Sequence, residues 1–212
     1  MATCFASKCV VWDLRKNDPI IKVSDSTSRM RAKVVAWHPE VATQLCLASE
    51  DDHTPVIQIW DLRLASSPIR TLEYHQRGVL SLAWCRQDSD LLLSSGKDNK
   101  ILCWNANSTQ QGGEVVCELS SSNQFCFDVS WCPRNPGVIS SSSFDGHVSV
   151  HSLMGGQQQV RTRNSLFFQV TCSCLLISKA VRQWPGSIIV RLRYFPRDQS
   201  VKHKNTGARR HI

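Results

Sequence analysis

The chain has 212 residues, 42% hydrophobic and 20% charged, with 25 Lys+Arg against 17 Asp+Glu. That apolar share supports a packed core and excludes wholesale disorder, and no run reaches the roughly 18 uninterrupted apolar residues of a membrane helix. The formal net charge of +8 invites a nucleic-acid or acidic-membrane reading. Yet residues 1–156 carry 14 basic and 16 acidic side chains, and residues 157–212 carry 11 and 1, so the basic character belongs to the last quarter alone.

The first sixteen residues (MATCFASKCVVWDLRK) lack a basic region followed by an apolar run, so no secretory signal is expected. Trp12 opens one of two tryptophan series. Trp12, Trp60 and Trp104 stand 48 and 44 residues apart, and the same register reaches His151 after 47 more. Trp37, Trp84 and Trp131 stand 47 and 47 apart. Between these landmarks short apolar runs alternate with turn clusters. The first full unit offers strands at 33–37, 44–49 and 56–60, with 69–72 following. The next offers 79–84, 91–94, 101–104 and 114–119, and the last 125–131, 138–142 and 148–151. β-branched residues and turns such as SGKDNK and SFDGH favour strands over helices. Four short strands per ~45 residues is the blade of a β-propeller. The expected fold is therefore all-β: an incomplete propeller of about three blades plus the end of another. Its parts are 1–16 (end of a preceding blade), 17–63, 64–107 and 108–156 (one blade each) and 157–212 (a basic tail).

A blade cannot bury both faces alone, so Trp12, Trp37, Trp60, Trp84 and Trp131 are expected in the packing between blades, with Asp145 among them. Any Trp on a third strand also needs a partner for its indole N–H. The ten cysteines lie mostly inside apolar runs without a CxxC pair, and Cys172 and Cys174 form an isolated pair, so buried, reduced thiols are expected rather than a metal site.

Several of these residues carry a resemblance. Trp12-Asp13 and Trp60-Asp61, weakening to Trp104-Asn105 and His151-Ser152, resemble the WD-repeat family, which often has an Asp six residues before the strand-three Trp. Asp98 and Asp145 stand at that interval, while in the first full unit Asp51 or Asp52 lies farther off. His75, nine residues before Trp84, matches the family's His. The resemblance implies a structural hydrogen-bond set of His75, Ser94, Asp98 and Trp104, with Ser28 and Ser122 replacing the His in the neighbouring units. A Ser, a His and an Asp together also suggest a hydrolase triad, but neither a GxSxG-type elbow nor an oxyanion hole is present, so no enzyme and no catalytic residue is expected.

The fragments WDLRKNDPIIKVSD, AWHPEVATQLCLASEDDHTPVIQIWDLR and FDVSWCPRNPGVIS narrow the resemblance. Over about residues 9–156 the chain is similar to the N-terminal propeller of the large outer-cage subunit of the COPII vesicle coat, as a truncated isoform or fragment. That implies a scaffold in endoplasmic-reticulum-to-Golgi transport. It would lie in the cytoplasm, peripheral to exit sites and COPII vesicles, with other COPII coat subunits as partners. It implies no cofactor, small-molecule substrate or integral membrane segment. The tail does not resemble the family; Ser187–Phe195 alternates like a strand and is a candidate to close the last blade. Two other functions compete. Trp12-Asp13-Leu14-Arg15 and Trp60-Asp61-Leu62-Arg63 match the short WDxR pattern of WD-repeat substrate receptors of cullin ubiquitin ligases. A basic tail can also bind RNA by counterion release, although nucleic acid is not the expected partner.

Overall fold

The computed structural model describes residues 1–5, 8–24, 30–120, 124–153 and 170–172. Ser28, Ser122, Cys174 and Ser187–Phe195 lie outside them, as does the tail apart from 170–172. The described residues form fifteen strands and one 3-10 turn, Leu62–Leu64. β1 (Ala2–Phe5), β2 (Lys8–Asp13) and β3 (Asp18–Val23) make a three-stranded sheet. β4 (Ala32–Trp37), β5 (Gln44–Ser49), β6 (Val56–Asp61) and β7 (Arg70–Glu73) make the second, and β8 (Val79–Trp84), β9 (Leu91–Gly96), β10 (Lys100–Asn105) and β11 (Glu114–Ser120) the third. The fourth comprises β12 (Cys126–Cys132), β13 (Asn135–Ser143), β14 (Val148–Ser152) and β15 (Val170–Cys172). Each is an antiparallel meander, except that β15 pairs with β14 in parallel.

The sheets stack face to face, and strand periodicity decides which neighbour each residue meets. Along β9, Leu91 and Leu93 join a core with Val129, Trp131 and Ile139 of the fourth sheet. Leu92, between them, joins Cys46, Ile57 and Ile59 of the second. β10 divides likewise, Ile101 and Cys103 facing the fourth sheet, Leu102 and Trp104 the second. Buried on both faces, these strands read as continuous apolar runs instead of alternating ones. Cys9, Val11 and Val23 meet Leu45, Leu47 and Trp60 in the same way.

Three expectations need correction. The sheets do not coincide with the units 17–63, 64–107 and 108–156. Tryptophan spacing registers one point per repeat and leaves the fourth strand in the following unit, so β3 and β7 belong to the sheets before them. Residues 1–16 accordingly hold two of the first sheet's three strands.

Trp37 is not core: it is 37% exposed, whereas Trp84 and Trp131 are each 8%. The reason lies in the neighbouring sheet. Trp131 donates Nε1–H to Ala83 O on β8, the first strand of the preceding sheet (2.9 Å). Trp84 sits edge-on to His38, just after β4, at 4.7 Å. The first sheet has three strands and, among the described residues, none in the position of β4 or β8 to receive Trp37. For the same reason Trp12 is only half-buried, while Trp60 and Trp104, covered by a preceding sheet, are fully buried.

Asp145 is not core either. It lies exposed in the β13–β14 hairpin, where its carboxylate accepts the Ser143 hydroxyl and the His147 N–H (3.0 Å). The proton donors of that turn hold it below the ordinary carboxylate range, Ser143 first.

Candidate functional site

Four side chains, two from strands and two from connections, meet inside the third sheet. His75 comes from the β7–β8 connection, Ser94 from β9, Asp98 from the β9–β10 hairpin and Trp104 from β10. Leu102 pairs with Ser94 across the ladder, so the hydroxyl faces the same side as the Trp104 indole. Trp104 Nε1–H donates to Ser94 Oγ (2.8 Å), and Ser94 Oγ lies 2.7 Å from His75 Nε2. His75 Nδ1 lies 2.9 Å and 3.1 Å from the two Asp98 oxygens. One direction of donation satisfies all four groups: indole to hydroxyl, hydroxyl to imidazole, imidazole to carboxylate. The His75 and Asp98 side chains are only 1% and 4% exposed.

Asp98 also accepts the backbone N–H of Gln76 (3.1 Å) and Lys100 (3.3 Å). Burial pushes its carboxyl up, and the hydrogen bonds from His75 and these amides more than offset that, leaving it below the ordinary range. Gly96 makes room for the pair: a Cβ there would lie 2.7 Å from Asp98 Oδ1 and 2.9 Å from His75 Nδ1. Ser94 is fully buried, so no substrate carbonyl can reach its hydroxyl. The arrangement braces a hairpin and its entry loop, and it is not built for hydrolysis.

The other sheets solve the same problem with different residues. Trp12 Nε1–H donates to Thr3 Oγ1 (2.8 Å), and His151 Nε2 lies 2.9 Å from Ser141 Oγ. Thr3 and Ser141 occupy the place of Ser94, opposite the residue two before the aromatic ring. In the second sheet that place holds Leu47, and Trp60 Nε1–H turns to Gln58 Oε1 on its own strand (3.1 Å). Sequence reasoning missed Thr3, Gln58 and Ser141. The available signal was a hydroxyl nine or ten residues before each ring, or a polar residue two before it where that hydroxyl is lost.

Also missed was the seam between the second and third sheets. Gly78 N–H donates to Asp52 Oδ1 (2.9 Å), and Lys97 Nζ donates to the Glu50 carbonyl (3.0 Å) while pairing with Asp52 at 3.3 Å. The Gly78 amide is the chief cause holding the Asp52 carboxyl below its usual range. At the next seam Ser81 Oγ–H donates to Asp128 Oδ1 (2.7 Å). Of the two WDxR copies, Arg63 grips Asp61 through Nε (3.0 Å) and Nη2 (2.5 Å), whereas Arg15 offers Asp13 only its backbone N–H (2.8 Å). The Arg63 guanidinium holds Asp61 well below the carboxylate range.

Two buried histidines set a pH dependence. Burial lowers both His38 and His151 from the ordinary 6.5. The unfolded chain then takes up protons first, so their contribution to stability is complete above 6.5 and is lost as pH falls below it toward the folded values. Asp98, depressed in the fold, adds a second loss at lower pH, as pH falls through its folded value. The urea midpoint is expected to be lower at about pH 5 than at about pH 7.5; an unchanged midpoint would count against neutral, buried imidazoles.

Among the described residues no helix is long and apolar enough to cross a membrane, and no group of three or more His, Cys, Asp or Glu is placed to hold a metal. No family model matches the chain. It is 61% identical over 151 residues to protein transport protein Sec31A of Danio rerio, covering 71% of this chain and 12% of that protein. It is 58% identical over 168 residues to human Sec31A (76% and 13%) and 56% identical over 150 residues to mouse Sec31B (71% and 13%). The chain thus spans about an eighth of the length of these curated relatives. Among solved structures it is similar to a chain of the outer coat vertex of COPII on membranes, with TM-score 0.68 and 34% identity, covering 77% of this chain and 43% of that one.

Proposed function

We propose that this chain, which carries the N-terminal WD-repeat region of the Sec31 outer-coat subunits, is a non-enzymatic scaffold in COPII vesicle transport from the endoplasmic reticulum to the Golgi. The observation that carries the reading is the match to Sec31A at 61% identity across 151 residues, 71% of this chain. Scaffold work suits the site. Its polar groups are spent on each other, as in the His75–Asp98–Ser94–Trp104 set, and on holding one sheet to the next, as at Gly78 and Lys97. The partners are other COPII coat subunits, met through exposed surface on the cytoplasmic side of exit-site membranes, with the chain peripheral to the bilayer.

Proximity labelling with the chain fused to a biotin ligase tests this. Coat subunits and exit-site proteins are expected to dominate the labelled set. Enrichment of a cullin adaptor would instead support the WDxR reading, in which the Arg63–Asp61 pair is the recognition element. Enrichment of ribonucleoproteins would support the basic tail as the functional part.

A further inference from the structure

Two cysteines of the first hairpin are placed for chemistry that a scaffold role does not use. Cys4 on β1 and Cys9 on β2 are direct Cα partners in the ladder. Met1 and Trp12 exchange both backbone hydrogen bonds, Trp12 N–H to Met1 O (2.8 Å) and the Met1 ammonium to Trp12 O (3.1 Å). Antiparallel pairs alternate along the ladder, so Ala2–Val11 is a non-hydrogen-bonded pair, Thr3–Val10 a hydrogen-bonded one, and Cys4–Cys9 again non-hydrogen-bonded. In such a pair the Cα atoms lie about 4.5 Å apart with their side chains on the same face, within the roughly 4.4–6.8 Å that a disulfide spans.

From this register we propose that Cys4 and Cys9 are a redox-sensitive dithiol that closes to a cross-strand disulfide on meeting a small-molecule disulfide such as oxidised glutathione. The two thiols are not equivalent. Cys4, half-buried at the sheet edge, is the sulfur that an incoming disulfide reaches, whereas Cys9 is fully buried beside it. The Cys4 thiolate attacks one sulfur of glutathione disulfide, forming a mixed disulfide and expelling one glutathione thiolate. Cys9, its ladder partner, then attacks the Cys4 sulfur and releases the second glutathione. The two protein thiols lose two electrons, one glutathione disulfide gains them, and the two protons pass to the departing thiolates.

Access and competition favour this pair. Cys46 is fully buried like Cys9, but its ladder partners are Ala36 and Ile59 and not an accessible cysteine. Cys46 donates to the Ala36 carbonyl (3.5 Å), and burial pushes its thiol up to about 12.

The test uses the full chain equilibrated in mixtures of reduced and oxidised glutathione, quenched with N-ethylmaleimide and digested without reductant. Trypsin cuts after Lys8, between the two cysteines, so a closed pair appears as fragment 1–8 linked to fragment 9–15. That linked species is expected to form before any other cysteine pair, and about tenfold more than in urea at the same glutathione ratio, because the ladder holds the sulfurs together. Cys9→Ser is expected to strand Cys4 as its glutathione adduct. The proposal fails if wild-type Cys4 and Cys9 carry glutathione or maleimide without the link. It fails too if either prefers Cys46, or if folded and urea-unfolded chains link to the same extent.

Discussion

Replacing Trp104 with alanine is expected to cost the fold about 3–5 kcal/mol through the cavity alone. The indole is fully buried between the second and third sheets and meets Tyr74 edge-on at 6.4 Å. Few local adjustments can refill the space, because the ladder fixes β10 against β9 and β11. The hydrogen-bond chain loses its first donor as well, and Ser94 Oγ is left with His75 alone. Since whole domains are stable by only about 5–15 kcal/mol, the variant should be marginal or unfolded in urea titrations. Trp104→Phe separates the causes: it keeps most of the ring, loses the N–H and should cost about 1–2 kcal/mol. Trp37→Ala is the control. Its ring is more than a third exposed, so it should cost much less than Trp104→Ala. Equal losses at Trp37 and Trp104 would contradict the stacking order of the sheets.

Gly78→Ala should be the most damaging small substitution, for a reason unrelated to backbone freedom. A Cβ on Gly78 would stand 2.0 Å from the Glu50 carbonyl oxygen and 2.5 Å from its carbon, both of them backbone atoms just after β5 of the second sheet. Nothing there can rotate away, so the sheets must separate. Separation would also stretch the Gly78–Asp52 and Lys97–Glu50 hydrogen bonds. Overpacking of this kind costs about 1–3 kcal/mol before those losses are added. Gly146→Ala gives the contrast. Gly146 has φ +79° but nothing within 4 Å of its would-be Cβ, so only left-handed backbone strain opposes the substitution, about 1 kcal/mol. A Gly146→Ala loss larger than that of Gly78→Ala in thermal melts would show that the seam is looser than its geometry.

What the sequence reveals here follows from which contacts leave a mark in it. The tryptophan periods mark the strand bearing Trp60 and Trp104, because a large ring between sheets recurs once per blade. His75, Ser94 and Asp98 are legible beside them only through the resemblance to the WD-repeat family, and the structure places them within hydrogen-bonding distance of one another. Trp37 is not legible. Its environment depends on a strand in another sheet, which its own neighbours in sequence do not report. The Asp145 spacing repeats that of Asp98, yet the fourth sheet's described residues provide no histidine for it beyond His147 in the same turn. The Gly78 seam is harder still, because Lys97 donates there to the Glu50 backbone carbonyl, which any residue at position 50 would supply. The sheet boundaries were hidden likewise: a spacing fixes the length of a period but not where each sheet begins.

The account joins a stack of sheets to a role in coat assembly, and one measurement addresses both halves. Proximity labelling should be run in parallel with the wild-type chain and with Gly78→Ala, both expressed to the same level. The account predicts that COPII coat and exit-site proteins dominate the wild-type set and fall away when the seam is forced open. Cullin adaptors or ribonucleoproteins in their place, or coat labelling that survives Gly78→Ala undiminished, would contradict it.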